Sequence, residues 1–236
     1  MEDNNSTMSD YSLIDNHREL TKILSNLEVH TTNCEHSVRF TRDDMCVTDN
    51  DDVYFTDIRH KSISCLSPSG SVSTVINTDP LVPLGICQPV DSGLLVTWID
   101  KESDVYKLES HSRRLVRHIT VTGEVINEYE DGQPRLFTFP YRVTQNSNSD
   151  ICVLNRTSDT TGDLVIMSPS GRVKFVYCGK DLTKNFRSTD VVCDSLCNFL
   201  VTDLNNKIHL LSPDGEWRER SILTLPIQVY TVDRIH

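Results

Sequence analysis

The sequence predicts an all-β fold, a propeller of four-stranded antiparallel blades, and three observations lead there. Nearly the same turn is written three times, as "CLSPSG" ending at Gly70, "MSPSG" ending at Gly171 and "LLSPDG" ending at Gly215, with a looser "VTGE" around Gly123. These glycines are separated by 53, 48 and 44 residues, a period that belongs to propellers or helical solenoids. The residues between them form short, β-rich apolar runs broken by Asp, Asn, Gly and Ser-Pro, which excludes a solenoid of helices.

Each unit reads as four strands. Second strands run over Val53–Thr56, Leu94–Trp98, Ile151–Leu154 and Phe199–Thr202, and third strands over Ile63–Leu66, Leu164–Met167 and Ile208–Leu211. Outer strands follow the glycines, as at Val72–Ile76 and Val173–Tyr177. Inner strands precede each unit, at Asp44–Thr48, Leu84–Cys87, Tyr141–Thr144 and Thr189–Cys193. The blades therefore span about 44–76, 84–129, 140–177 and 189–223, and a fifth begins at 226. Several runs are apolar at consecutive positions, so both of their faces should be buried, as in a sheet packed between two others. Gly70, Gly123, Gly171 and Gly215 then close the turns between third and outermost strands, where a positive φ is needed.

Composition bounds the rest. The 236 residues are 37% hydrophobic and 24% charged, ordinary for a globular chain, with a net charge of −11 that works against generic attraction to phosphate backbones. No stretch reaches the ~18 apolar residues of a membrane span and the first residues do not read as a signal peptide, so the expected location is cytoplasmic. The eight cysteines, at 34, 46, 65, 87, 152, 178, 193 and 197, form no C-x-x-C pair. Reduced thiols are expected rather than a metal site, and no cofactor.

The phrase "FLVTDLNNKIHLLSPDG" (199–215) resembles the NHL repeat, in which a strand ends in Val-x-Asp before an Asn-rich turn and an Asp-Gly. "LGICQPVDSGLLVTW" (84–98) and "NSNSDICVLN" (146–155) are similar to the segment joining the first two strands of such repeats. The likeness covers Val38 to the C-terminus and is to the propellers of tripartite-motif (TRIM-type) NHL proteins. It implies a six-bladed ring serving a partner. With about four blades here, the expectation is an unclosed or truncated ring, from a truncated gene product or a partial gene model. Residues 1–16 read as a disordered polar tail and 17–236 as the partial propeller, with a short helix over Arg18–Leu27 as an alternative to flanking strands. The RING and B-boxes of TRIM relatives are absent, so ubiquitin-ligase activity is not implied, and at most a substrate-recognition part remains.

The expected function is thus a non-catalytic protein-interaction module. The connections after the second strands vary most, and variable loops on a rigid scaffold carry binding residues. Arg59, Trp98, Asn155, Arg156 and Asn205 lie there and form the candidate protein-binding face, whereas Asp57 and Asp203 are better read as capping their own turns. The alternative is RNA binding through Arg113, Arg114 and Arg117. A lactonase- or lyase-like enzyme, known among propellers similar to NHL domains, ranks below both. The chain has no phosphate loop or nucleophile elbow, and the inner strands "GICQPV", "YRVTQN" and "TDVVCD" contain no histidine.

Overall fold

A computed structural model describes residues 44–100, 105–130, 135–180, 185–205 and 207–218. The expected tail at 1–16, the flanking strands or helix before 44 and the fifth blade from 226 lie outside the described residues. Those described form sixteen strands in four antiparallel sheets, each a meander in chain order. The first blade holds β1 (Met45–Val47), β2 (Val53–Asp57), β3 (Ser62–Leu66) and β4 (Val72–Asn77). The second holds β5 (Leu81–Cys87), β6 (Leu94–Asp100), β7 (Arg114–Ile119) and β8 (Val125–Tyr129). The third holds β9 (Phe139–Gln145), β10 (Ile151–Arg156), β11 (Gly162–Met167) and β12 (Val173–Tyr177). In the fourth are β13 (Ser188–Cys193), β14 (Phe199–Asp203), β15 (Ile208–Leu211) and β16 (Trp217–Arg218). This is a propeller of four blades, with no helix among the described residues.

Burial follows the radial order. On β6, six consecutive residues of "LLVTWI" are buried, because the second blade is sandwiched between the first and third. β14 instead alternates, with Phe199, Val201 and Asp203 buried and Leu200 and Thr202 half-buried. Among the described residues, the strands of the fourth blade pack only against the third. The outer strands β4 and β8 are mostly exposed. Three apolar layers fill the spaces between blades. Ile63, Leu81, Leu94 and Leu115 join the first two; Leu95, Val116, Val153 and Val165 the second and third; Leu154, Leu164, Phe199 and Leu211 the last two. Each such side chain contributes about 1.5–3 kcal/mol by leaving water.

The repeated turns fix the hairpins. Gly70 donates its N–H to the Ser67 carbonyl at 2.8 Å, and Gly123, Gly171 and Gly215 make the same bond at 2.9 Å to Thr120, Ser168 and Ser212. Their φ values lie between 81° and 93°, the left-handed region that only glycine enters freely. At the second-to-third-strand turns the Asp57 carboxylate accepts from the N–H groups of Arg59 and His60, and the Asp203 carboxylate from those of Asn205 and Lys207. Both carboxylates cap their own turns.

Near the inner strands the blades approach closely. A Cβ on Gly85 of β5 would stand 2.6 Å from the Arg142 Cα on β9, so only glycine fits. The Asp44 carboxylate accepts the Ile86 N–H at 3.0 Å and pairs with Arg142. Cysteines at described positions are free thiols, and burial pushes Cys46 and Cys193 up to about 12, which keeps them protonated.

Candidate functional site

The sequence-predicted face separates into residues of different kinds. Trp98 lies in the core, 3% exposed, because β6 buries both of its faces; its ring packs among Tyr54, Leu81 and Leu115 and takes the Arg117 guanidinium 5.7 Å from its centroid. Asn155 is also buried. Its Oδ1 accepts the N–H groups of Thr138 and Phe139 at 2.8 and 2.9 Å, and its Nδ2 donates to Asp163, so it fixes the start of β9. Arg59 and Asn205 are exposed turn residues on different blades. Arg156 alone of the five joins a cluster of aromatic and charged side chains.

The arginines proposed for RNA are already committed to acids of their own blade. Arg113 pairs with Glu128 and Glu130, and Arg117 with Glu128. Arg114 is buried, pairs with Asp100 and donates to the Thr138 carbonyl at 2.9 Å. A register that sets Arg117 opposite Glu128 makes these ladders of cross-strand charge.

A cluster of another kind forms at the start of the inner strands β9 and β13, on the side of the second-to-third-strand loops. On β9 the pleat puts Phe139 and Tyr141 on one side, and their rings stack at 6.3 Å and 10°. Arg156, at the end of the neighbouring β10, lays its guanidinium 3.8 Å from the Tyr141 centroid. The Tyr141 hydroxyl donates to the Ser188 carbonyl on β13. From the second blade, Tyr106 meets Phe139 edge-on at 6.1 Å and hydrogen-bonds the Asp159 carboxylate. The loop bearing Asp159 is held by the Thr157 N–H donating to the Thr161 carbonyl and by Ser158 Oγ accepting from Thr161 N–H. The Gly162 N–H donates to the Phe186 carbonyl, which ties that loop to the segment carrying Arg187.

Electrostatics follow this arrangement. Burial raises the Tyr106 pKa and the bond to Asp159 raises it further, while Arg156 and Arg187 oppose both. Burial likewise raises Tyr141, against Arg156. Asp163 is pushed up by burial, opposed by the bond from Asn155. Among the described residues, four buried side-chain polar atoms have no hydrogen-bond partner, and three belong here: Arg156 Nε, Arg187 Nε and Ser188 Oγ. The fourth is the indole nitrogen of Trp98. Among the described residues no group of three or more His, Cys, Asp or Glu side chains is placed to hold a metal ion.

Sequence reasoning missed Tyr106, Phe139, Tyr141, Asp159, Arg187 and Ser188. A signal existed in "FTFPYR", where aromatics at 139 and 141 alternate at strand spacing beside an arginine. Its meaning depended on Arg156 and Arg187, brought from two further segments.

No protein-family model matches the chain, nor does any curated protein. Solved structures do match. A catalytically inactive virginiamycin B lyase from Staphylococcus aureus, solved with quinupristin, superposes with a TM-score of 0.54 at 17% identity over 75% of this chain and 54% of its own. A gluconolactonase from Xanthomonas campestris gives 0.53 at 10% identity, over 76% and 61%. A protein of unknown function from Bacteroides caccae gives 0.52 at 13%, over 75% and 58%. The chain spans less than two thirds of the length of each. These likenesses establish the propeller, and nothing in them speaks for the NHL or TRIM-type lineage that the repeat phrases suggested. They also correct the expectation of a non-catalytic module: the functions named among these structural neighbours are enzymatic.

Proposed function

We propose that the chain is part of a catalytic propeller, lactonase- or lyase-like, that binds a small substrate where β9 and β13 begin. The observation that carries this reading is the convergence of Tyr106, Phe139, Tyr141, Arg156, Asp159 and Arg187 from three blades, a mixed aromatic and polar cluster of the kind that holds small molecules. The enzyme names of the structural neighbours support it.

Opening of a lactone by water illustrates what the residues can do. Water loses a proton as it adds to the acyl carbon, negative charge gathers on the carbonyl oxygen, the charge returns to re-form the carbonyl as the ring C–O bond breaks, and the departing oxygen takes up that proton. Arg156 and Arg187 supply donors toward the gathering charge. Tyr106, bonded to Asp159, is the proton-transfer pair. We also retain an NHL-type lineage as a proposal, on the phrase at 199–215.

The test is proton release in a pH-stat with a panel of five- and six-membered lactones, gluconolactone included. The expected result is hydrolysis faster than buffer that falls at least about tenfold in Arg156→Gln and Asp159→Asn. Release no faster than buffer across the panel, from protein folded by circular dichroism, overturns the reading.

A further inference from the structure

Arg156 and Arg187 are used differently from the arginines that pair with acids. Arg113, Arg114, Arg117 and Arg142 each pair with a carboxylate. Among the described residues neither Arg156 nor Arg187 forms such an ion pair, although each has a buried Nε–H without an acceptor. Ser188, only 1% exposed and next after Arg187 in the chain, adds a hydroxyl with no partner. Buried donors left unsatisfied destabilise a fold, more so when charged, so a gathering of them calls for an acceptor from outside the fold. All three can donate, and the two guanidiniums cannot accept.

We infer that Arg156, Arg187 and Ser188 form an oxyanion site, which takes the carboxylate or phosphate group of a small ligand with its oxygens facing the two guanidiniums. The inference rests on the proposed substrate site and adds the charge of what binds there. Geometry favours it in three ways. The Tyr141 ring beneath Arg156 holds the guanidinium in one plane, which pre-orients its donors. The Gly162–Phe186 bond fixes the segment carrying Arg187 against the Asp159 loop. The Tyr141–Ser188 bond joins β9 to β13 across the site. Three acids stand near: Asp159 is engaged by Tyr106, Asp163 by Asn155, and the Asp190 carboxylate accepts the Val191 N–H. An anion would supply the acceptor that those acids do not give to the arginine Nε atoms.

The experiment is isothermal titration of the whole chain with inorganic phosphate and, separately, with malonate, at low ionic strength. One saturable site is expected for at least one probe, and the tighter of the two identifies the group. Affinity should fall at least about tenfold in Arg187→Gln and in Arg156→Gln, since a charge-assisted bond is lost in each. Arg187→Lys, which keeps the charge and loses the fork, should show an intermediate loss. Circular dichroism and the thermal midpoint of each variant establish that it is folded. No saturable binding of either probe, or binding indifferent to all three substitutions, overturns the inference. Because this readout is binding without turnover, a chain that binds anions but opens no lactone removes only the proposed reaction. A chain that opens lactones without binding anions removes only the oxyanion site.

Discussion

Asp44, one residue before β1, pairs its carboxylate with the guanidinium of Arg142 on β9, two blades away. The same carboxylate accepts the Ile86 N–H of the intervening blade, so a single side chain ties three blades together near their inner strands. Replacing Asp44 with asparagine removes the charge and leaves Arg142 without its partner. The expected loss is about 1–3 kcal/mol, read as a lower denaturant midpoint at unchanged m-value. A midpoint identical to that of the natural chain would show that the clamp holds nothing.

Gly85 and Gly70 test two different reasons for glycine. At Gly85 an added methyl meets the β9 backbone at 2.6 Å, and backbone cannot swing aside. Gly85→Ala should cost about 1–3 kcal/mol through overpacking. At Gly70 nothing lies within 4 Å, but φ is +85°, so Gly70→Ala should cost about 1–2 kcal/mol from backbone strain alone. Chemical denaturation of both variants checks this, and a second methylene (Gly→Val is unnecessary; 2-aminobutyrate suffices by semisynthesis) should worsen only the first.

The arginines on and beside β7 should behave oppositely to a nucleic-acid patch. Arg113→Ala removes a partly exposed pair and should change stability by at most about 1 kcal/mol. Arg114→Ala removes a buried guanidinium that pairs with Asp100 and donates to the Thr138 carbonyl, and should cost about 3–5 kcal/mol. Equal effects of the two substitutions in thermal unfolding would contradict this division of roles.

Acid should weaken the fourth blade through Asp203. Burial works to raise this pKa, but the bonds from Lys207, His209 and Asn205 outweigh it and hold it below 3.8. A depressed folded-state pKa contributes stability that is present above the unfolded value, near ~3.9, and lost as pH falls through the folded one. The denaturant midpoint should therefore drop as pH falls below the unfolded value, and Asp203→Asn should flatten that drop. A variant with an unchanged acid profile would exclude Asp203 as a contributor.

How far the sequence could be read depended on whether the signal was local. The glycine period, the Ser-Pro turns and the apolar runs each lie within about a dozen consecutive residues. They state their meaning through φ preference and strand alternation, which need no distant partner. For that reason the second strands read over 53–56, 151–154 and 199–202 fall on β2, β10 and β14. The inner strand read over Leu84–Cys87 is longer in the structure, where β5 begins at Leu81 and includes Pro83.

The site was not legible in this way. Trp98 ends the second strand beside a variable loop and reads as an interface anchor, yet the first blade buries it, with Tyr54 and Ile63 in the same apolar layer. Arg156 was chosen for the same loop, and what gives it a role is Tyr141 beneath it and Arg187 beyond, 31 residues further along (156 to 187). The sequence by itself determined the strands, the turns and their repetition into blades, since those follow from short-range backbone preference. Only the tertiary structure decided which arginines were neutralised and which kept donors without acceptors, because that depends on which side chains separate blades bring within hydrogen-bond reach.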